Sequence, residues 1–482
     1  MKVNTTLTPA QLVRKIERLW ELSARKILSI EHDFDPAKGA PVFTTEGRYT
    51  TRGWTEWTQG FQFGSAILQF DATGEAEFLD LGRDRTLAAM APHVGHFGVH
   101  DHGFNNVSTY GNLLRLMGEG RIPDDAWERC YYELALKLSG AIQARRWTKT
   151  HGGGGFIYSF NGPHSLFVDT IRSLRALAVA HKLGHAIWEE NDRKVSLLDR
   201  LHAHATATAT HSVYYGEGRD AYDVRGRVAH ESIFNTNDGT YRCPNSQQGY
   251  SPFSTWTRGL AWAMCGFAEQ LEFLAEMPCK DPADRGPTDL YLKAARATCD
   301  FYIEHATAAD GIPYWDTGAP NLYRLGDWQN RPADPFNAHE PVDSSAAVIA
   351  AQGLLRLGHY LKQDGRNGTV GAAVALPHPH GGGSTTATPT SEQEGRHYWH
   401  AGLTVLNTLL DEPYMTADPN HQGLILHSIY HRPNGWDYVP PGQKVPCGES
   451  SMWGDYHARE VALYVERVAN HEPALTFWGK FA

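Results

Sequence analysis

The chain has 482 residues, 41% hydrophobic and 20% charged, a composition that excludes a fibre or a disordered chain and fits a soluble globular protein. Its formal charge is −10, and no run of Lys or Arg forms the electrostatic footprint of a nucleic-acid binder. The same balance argues against long-range attraction of a polyanion, and no apolar run approaches the ~20 residues that span a bilayer.

At this length two or three average domains are possible, although a large barrel fits in one. Aromatic residues reach 11%, with 14 Trp, which suits a groove that grips sugars as well as a large core. Six cysteines (130, 243, 265, 279, 299, 447) have no CxxC or zinc-ribbon spacing, and Cys265 and Cys299 fall in helical patterns as buried thiols. The stretch Met1 to Ile27 reads as an amphipathic helix rather than a signal peptide. A cytoplasmic location is expected, or a periplasmic one if a signal was removed. A monomer or homodimer is expected.

Hydrophobic period predicts twelve helices, near 8–29, 57–71, 79–95, 101–118, 123–144, 165–184, 188–211, 254–275, 287–306, 343–362, 392–411 and 452–467. Thr8 precedes Pro9 at the start of the first. Leu134, Leu138 and Ile142, with Ala135 and Ala141, give the fifth its apolar stripe, as Leu354, Leu355, Leu357 and Leu361 do the tenth. Sustained period-2 alternation is rare, so strands are minor. Residues 212–253 and 312–342 read as long loops that wall a pocket, and 364–391 as a low-complexity, solvent-exposed insertion. Twelve helices without a strand partner must bury their stripes on one another. Two concentric rings of six do this in one closed domain over 1–482, an all-α (α/α)6 barrel.

The even-numbered helices each begin with a motif rich in Trp, Asp, Arg or Ser. These are Trp57-Thr-Gln-Gly-Phe61, His100-Asp-His-Gly-Phe104, Phe167-Val-Asp-Thr170, Ser254-Thr-Trp-Thr-Arg258, Val342-Asp-Ser-Ser345 and Met452-Trp-Gly-Asp-Tyr456. Six such starts would ring one mouth, where positive helix ends favour an anion. A lone Asp in such a place is as readily an N-cap as a catalyst. Two at equivalent places, Asp101 and Asp169, point to paired carboxylates that push one another's pKa up and keep one protonated as an acid. Arg258 at a helix start opposes the dipole, so it needs an acid or an anion, either an internal Asp or a ligand.

With these residues in order, the chain resembles the unsaturated glucuronyl hydrolases of glycoside hydrolase family 88. His230, Gln248, Trp256, Arg258 and Trp262 keep that family's internal spacing. The motifs around Trp57, Asp101, Asp169, Tyr314-Trp-Asp316, Asp343 and Trp453 follow the family's order from about residue 54 to 467. The resemblance implies an (α/α)6 barrel that hydrates the C4=C5 double bond of a terminal unsaturated uronate and leaves the anomeric carbon alone. It implies Asp169 as acid and base and Asp101 as its carboxylate partner. His230, Gln248 and Arg258 would be polar contacts, and Trp57, Phe61, Trp256 and Trp262 the aromatic walls. Tyr430 matches a pocket tyrosine, and His431 and Arg432 stand where they could meet an anion. No metal or organic cofactor is implied, and the partners are short oligosaccharides ending in an unsaturated uronate.

The chain departs from the family at Leu260, where a polar residue is common, and in lacking the Ser-x-x-Ser-x-Lys form linked to sulfated substrates. Family 105, acting on unsaturated rhamnogalacturonans, usually has Asn-Gly where this chain has Leu260-Ala261, and ranks lower. Two further readings stand beside these. One is an inverting glycosidase with Asp101 as base and Asp169 as acid. The other is a carbohydrate-binding barrel without catalysis. His93, His96, His100 and His102 read as scattered histidines rather than metal ligands, with His100 and His102 orienting Asp101. Gly152–Gly155 lacks the Lys-Ser/Thr of a phosphate loop.

Overall fold

The computed structural model describes residues 1–53, 56–277, 286–367 and 390–479. The expected insertion at 364–391 and Cys279 lie largely or wholly outside the described residues. Fifteen helical segments are described: α1 (Pro9–Asp33), α2 (Gln59–Thr73), α3 (Ala76–Ala89), α4 (Ala91–Gly95), α5 (His102–Asn105), α6 (Asn112–Gly118), α7 (Ala126–Arg145), α8 (Thr170–Ser173), α9 (Arg175–Lys182), α10 (Leu197–His211), α11 (Thr257–Glu276), α12 (Thr288–Phe301), α13 (Ser344–Asn367), α14 (Ser391–Leu409) and α15 (Met452–Ala469). Local chemistry sets several ends. Pro9 fills the first position of α1, and the Gln11 side chain accepts from the Thr8 N–H at 2.8 Å.

The inner ring is α2, then α5 to α6, α8 to α9, α11, α13 and α15. Each packs on the next, and α15 returns to α2, so the ring closes. Helices buried all round belong inside, and α11 and α15 are buried along most of their length. The outer ring is α1, α3, α7, α10, α12 and α14. The fold is the expected (α/α)6 barrel.

Three expected helices differ in detail. The helix over 165–184 opens instead as a strand, and the one over 188–211 opens as a hairpin. Asn191 and Asp192 take φ of 60° and 56°, a left-handed turn that no helix interior allows. The helix over 101–118 is interrupted by a π segment at Val107–Gly111, just past Asp101. The stripe expected on α7 is only partly inside, with Ala135 buried but its leucines turned outward. Leu134 and Leu138 are exposed, while Tyr132, Leu136, Ser139, Gly140 and Gln143 are buried. The reason is room: a Cβ on Gly140 would stand 2.6 Å from the Ala176 carbonyl oxygen, so only a small residue lets α7 approach α9.

Among the described residues the nine strands are short: β1 (Ala40–Thr45), β2 (Arg48–Arg52), β3 (Trp147–Thr148), β4 (Phe156–Ile157), β5 (Ser165–Phe167), β6 (Ile187–Glu189), β7 (Arg193–Val195), β8 (Glu231–Phe234) and β9 (Tyr241–Asn245). Six of them form three two-stranded antiparallel sheets, and the fourth sheet is antiparallel in the order β5-β8-β9. That last sheet occupies part of the stretch read as an irregular pocket wall.

The second motif contains a glycine for a reason of contact. A Cβ on Gly103 would lie 2.2 Å from the Ser173 carbonyl oxygen, and the Gly103 N–H donates to Ser173 Oγ at 3.0 Å. This contact fixes the helix start carrying Asp101 against the helix start carrying Asp169. Gly103→Ala is expected to push the two starts apart, costing about 1–3 kcal/mol of stability. It should lower turnover by more than that stability loss accounts for. Denaturant midpoints and kcat on the same preparation check this, and an unchanged kcat would remove the contact from the site's assembly.

Candidate active site

The β5-β8-β9 sheet gathers residues that lie far apart in sequence. β5 ends at Phe167, two residues before Asp169. β8 begins at Glu231, directly after His230, and β9 ends at Asn245, three before Gln248. The pairing of Phe167 with Glu231 and the bond from Val168 N–H to the His230 carbonyl at 3.0 Å lock Asp169 and His230 side by side. His230 Nδ1 accepts from the backbone N–H groups of Gln247 at 3.0 Å and Gln248 at 3.3 Å. Its proton is therefore on Nε2, which is buried and has no hydrogen-bond partner among the described residues. Burial pushes His230 down to about 4, against the pull of Asp169, so it is a neutral N–H donor. Its ring packs between Phe167 and Trp256, 4.5 Å and 4.7 Å away between centroids.

Asp101 and Asp169 stand before α5 and α8, yet neither side chain caps its helix. Both turn to one imidazole instead. His100 Nε2 lies 3.6 Å from Asp101 Oδ1 and 3.6 Å from Asp169 Oδ1, with the carboxylates only 10% and 13% exposed. Burial raises Asp101, and the neighbouring Asp169 raises it further against the opposing pull of His100. Burial acts the same way on Asp169, but the nearby His100, aided by His230, outweighs it and holds Asp169 below the usual carboxylate range. His100 itself is lowered by burial and raised by Asp101 and Asp169, and the carboxylates prevail. The three groups titrate as one cluster. His102 does not share in it, contrary to expectation. Its ring is taken up by Ser139 Oγ at 3.1 Å and the His96 carbonyl at 2.8 Å, on the side of α7.

Arg258 is fully buried, its guanidinium over the rings of Trp256 and Trp453 at 4.7 Å and 4.9 Å. It donates from Nη1 to Asp343 Oδ2 at 3.1 Å and to the Ile429 carbonyl. From Nη2 it donates to Gln248 Oε1 at 2.9 Å and the Tyr430 carbonyl at 2.7 Å. The bond to Gln248 fixes that amide, leaving its NH2 as the remaining donor. Trp57 stacks on Trp453 at 5.0 Å and is half-buried, whereas Phe61 and Trp262 are fully enclosed beneath it. Those two set the pose of Trp57 and present no face of their own. Tyr430 packs among Phe43, Trp453 and Trp436, and the Arg52 guanidinium covers it at 5.2 Å.

The fifth and sixth motifs brace this wall. Asp343 Oδ1 accepts from the Ser345 and Ala346 N–H groups at 3.0 Å and 3.3 Å, capping α13, while Oδ2 holds Arg258. Asp455 accepts from the N–H groups of Leu424 and Ile425, from Ser450 Oγ and from Tyr49 Oη. Asp316 plays the same part beneath the Gln248 loop, accepting from the Tyr250 N–H at 2.8 Å.

Glu56 is a third carboxylate by the pocket that the sequence did not single out. Burial pushes it up to about 7, with Asp101 adding to the rise and Arg52 opposing it. Its place directly before Trp57 was the available signal. Phe160, half-exposed over the His100 ring at 5.9 Å, carried no signal beyond being aromatic.

No protein-family model matches the chain. It is 23% identical over 408 residues to an unsaturated glucuronyl hydrolase of Formosa agariphila, covering 84% of this chain and 78% of that protein. It is 24% identical over 431 residues to an unsaturated glucuronyl hydrolase of a Bacillus species, covering 87% and 89%. The crystal structure of an unsaturated glucuronyl hydrolase from Streptococcus agalactiae superposes with a TM-score of 0.67 at 18% identity, over 99% of each chain. Along 84% to 87% of its length the chain is thus similar in sequence to unsaturated glucuronyl hydrolases, and it has the (α/α)6-barrel fold of the solved one.

Proposed function

We propose that this protein removes the terminal 4,5-unsaturated glucuronyl residue from oligosaccharides left by polysaccharide lyases, by adding water across C4=C5. The observation that carries the reading is the pair of buried carboxylates, Asp101 and Asp169, on one imidazole nitrogen at the pocket's base. Each lies 3.6 Å from His100 Nε2, so a single imidazole joins them, and one carboxylate can serve a double bond first as acid and then as base.

Asp169 protonates C4, and the positive charge left at C5 is shared with the ring oxygen. Water adds at C5 and gives its proton back to Asp169. The hemiketal opens by itself and frees the leaving sugar. His230 Nε2–H and the Gln248 NH2 are the donors for the sugar's carboxylate and hydroxyls, and Trp57 offers its half-buried ring as the apolar wall. Arg258 positions Gln248, Tyr430 and Asp343 from beneath. Asp101 holds His100 and the ring's orientation. None of these groups requires a metal or an organic cofactor for hydration.

The C4=C5 bond is itself a chromophore. Lyase digests of glycosaminoglycan, xanthan and ulvan should include at least one whose absorbance falls with the wild-type protein. Constant absorbance on all of them, together with release of an aryl group from a saturated aryl-glucuronide, would replace this reading with ordinary glycoside hydrolysis.

A further inference from the structure

We propose that His100 stores the proton that Asp169 needs and hands it over when an anionic sugar enters the pocket. This rests on the hydration reading above. The imidazole is 1% exposed and stands at the same 3.6 Å from Asp101 Oδ1 and Asp169 Oδ1. Neither ring nitrogen, nor Asp169 Oδ1, has a hydrogen-bond partner among the described residues. Both gaps exceed the ~2.7–3.2 Å of an N–H···O bond by a few tenths of an ångström, so a small ring rotation closes one and opens the other. The backbone does not follow, because the His100 carbonyl is held by Gln143 Nε2 at 2.8 Å and Ser173 Oγ at 2.7 Å.

The charged and titratable groups facing His100 leave it as the mobile carrier. Arg146, just past α7, is bound to the carbonyls of Tyr158, Ser159 and Phe97. His204 on α10 accepts from the Ile157 N–H at 2.9 Å and is pushed by burial down to about 3. His230 is likewise neutral. Asp101 and Asp169 are the two acceptors, and their joint pull keeps His100 above its ordinary value despite burial. In the proposal the proton rests on His100, and Asp169, held below the usual carboxylate range, is ionised.

A sugar seated in the pocket displaces water from the imidazolium–carboxylate pair, and desolvation favours the neutral form of that pair over the charged one. The proton passes from His100 Nε2 to Asp169 Oδ1, leaving a neutral imidazole and a neutral acid. Asp169 gives that proton to C4 as the π pair forms the new C–H bond. It recovers one from the water whose oxygen bonds to C5. On product release the proton returns to His100, so each cycle consumes one water and no net proton.

The test is kcat/KM against pH, which reports the free enzyme, on whichever unsaturated disaccharide the wild type turns over. The wild-type basic limb should fall above the ordinary histidine value of about 6.5. In His100→Asn it should move about one unit or more toward acid, with most of the lost rate recovered near pH 5. A rate lowered equally at every pH, with the limb unmoved, would overturn the proposal and make His100 structural. A second measurement needs no variant. Nitrogen NMR of the histidine rings should show His100 protonated in the free wild type at pH 7 and neutral once a saturated glucuronyl disaccharide binds. A ring that stays protonated in that complex overturns the proposal as well. Failure of every unsaturated substrate would instead count against the hydration reading.

Discussion

Asp169→Asn is expected to fold like the parent and to lose at least about 10²- to 10⁴-fold in turnover, the range that one acid–base group contributes. The upper end is the better guide, because the residue is assigned both proton transfers. An amide neither gives a proton to C4 nor takes one from water. The fold should not suffer, since Asp169 caps no backbone N–H of α8. Asp101→Asn should cost less, because that carboxylate touches the reaction through His100. It should also move the basic limb of the pH profile toward acid, since one of the two carboxylates that raise His100 is gone. The decay of C4=C5 absorbance and a thermal melt on each variant decide the matter. An Asp169→Asn protein turning over within tenfold of the parent would sink the assignment.

The helical rings were legible because their apolar periods are long. Residues such as Leu354, Leu355, Leu357 and Leu361 place α13 on the inside without help from any other segment. The misread stretches are those where a few residues outweigh a long pattern. Asn191 and Asp192 turn a hairpin inside an apparent helix, and Ser165 to Phe167 gain a strand partner, Glu231 to Ile233, that no local period announces. The site divides in the same way. Asp101, Asp169, His230, Gln248 and Trp256 are gathered at one end of the barrel, and their neighbouring motifs could be read from the chain. The sharing of His100 by two carboxylates could not, because it depends on Gly103 meeting Ser173 across two helix starts. Nor could Arg258 be divided between ligand and brace until Asp343 was seen beneath it.

The charges deepest in the barrel were not legible at all, and they carry the second large expectation. Arg172 and Arg175 follow Asp169 along α8 and α9, and each reaches both Glu269 on α11 and Glu460 on α15. Arg172 meets Glu269 at 2.9 Å and Glu460 at 2.7 Å. Arg175 meets Glu460 at 3.0 Å and holds Glu269 with two nitrogens. All four side chains are enclosed, and Gln352 adds a bond to Glu460 at 2.9 Å. A charged residue on an inner helix looks, in sequence, like part of a solvated face. Glu460→Gln leaves Arg172 and Arg175 to share Glu269, which also faces the buried Arg356 at 3.6 Å, and breaking a buried pair in this way costs about 3–5 kcal/mol. Pairing Glu460→Gln with Arg175→Met should cost less than the sum of the two single changes, because the charge is partly rebalanced. The pH dependence has a definite sign. Burial raises Glu460, but Arg175 and Arg172 outweigh it and hold it well below the usual glutamate range. Its stabilisation is therefore full above the unfolded value of about 4.3 and is lost as pH falls toward the folded one. The gap between parent and Glu460→Gln in denaturant midpoint should be constant near neutrality and close as the solution is acidified below about pH 4. Because Arg172 lies one turn past Asp169, loosening the quartet should also displace the catalytic carboxylate and lower kcat at pH 7. A variant as stable as the parent would mean that the four charges contribute little beyond what neutral packing would.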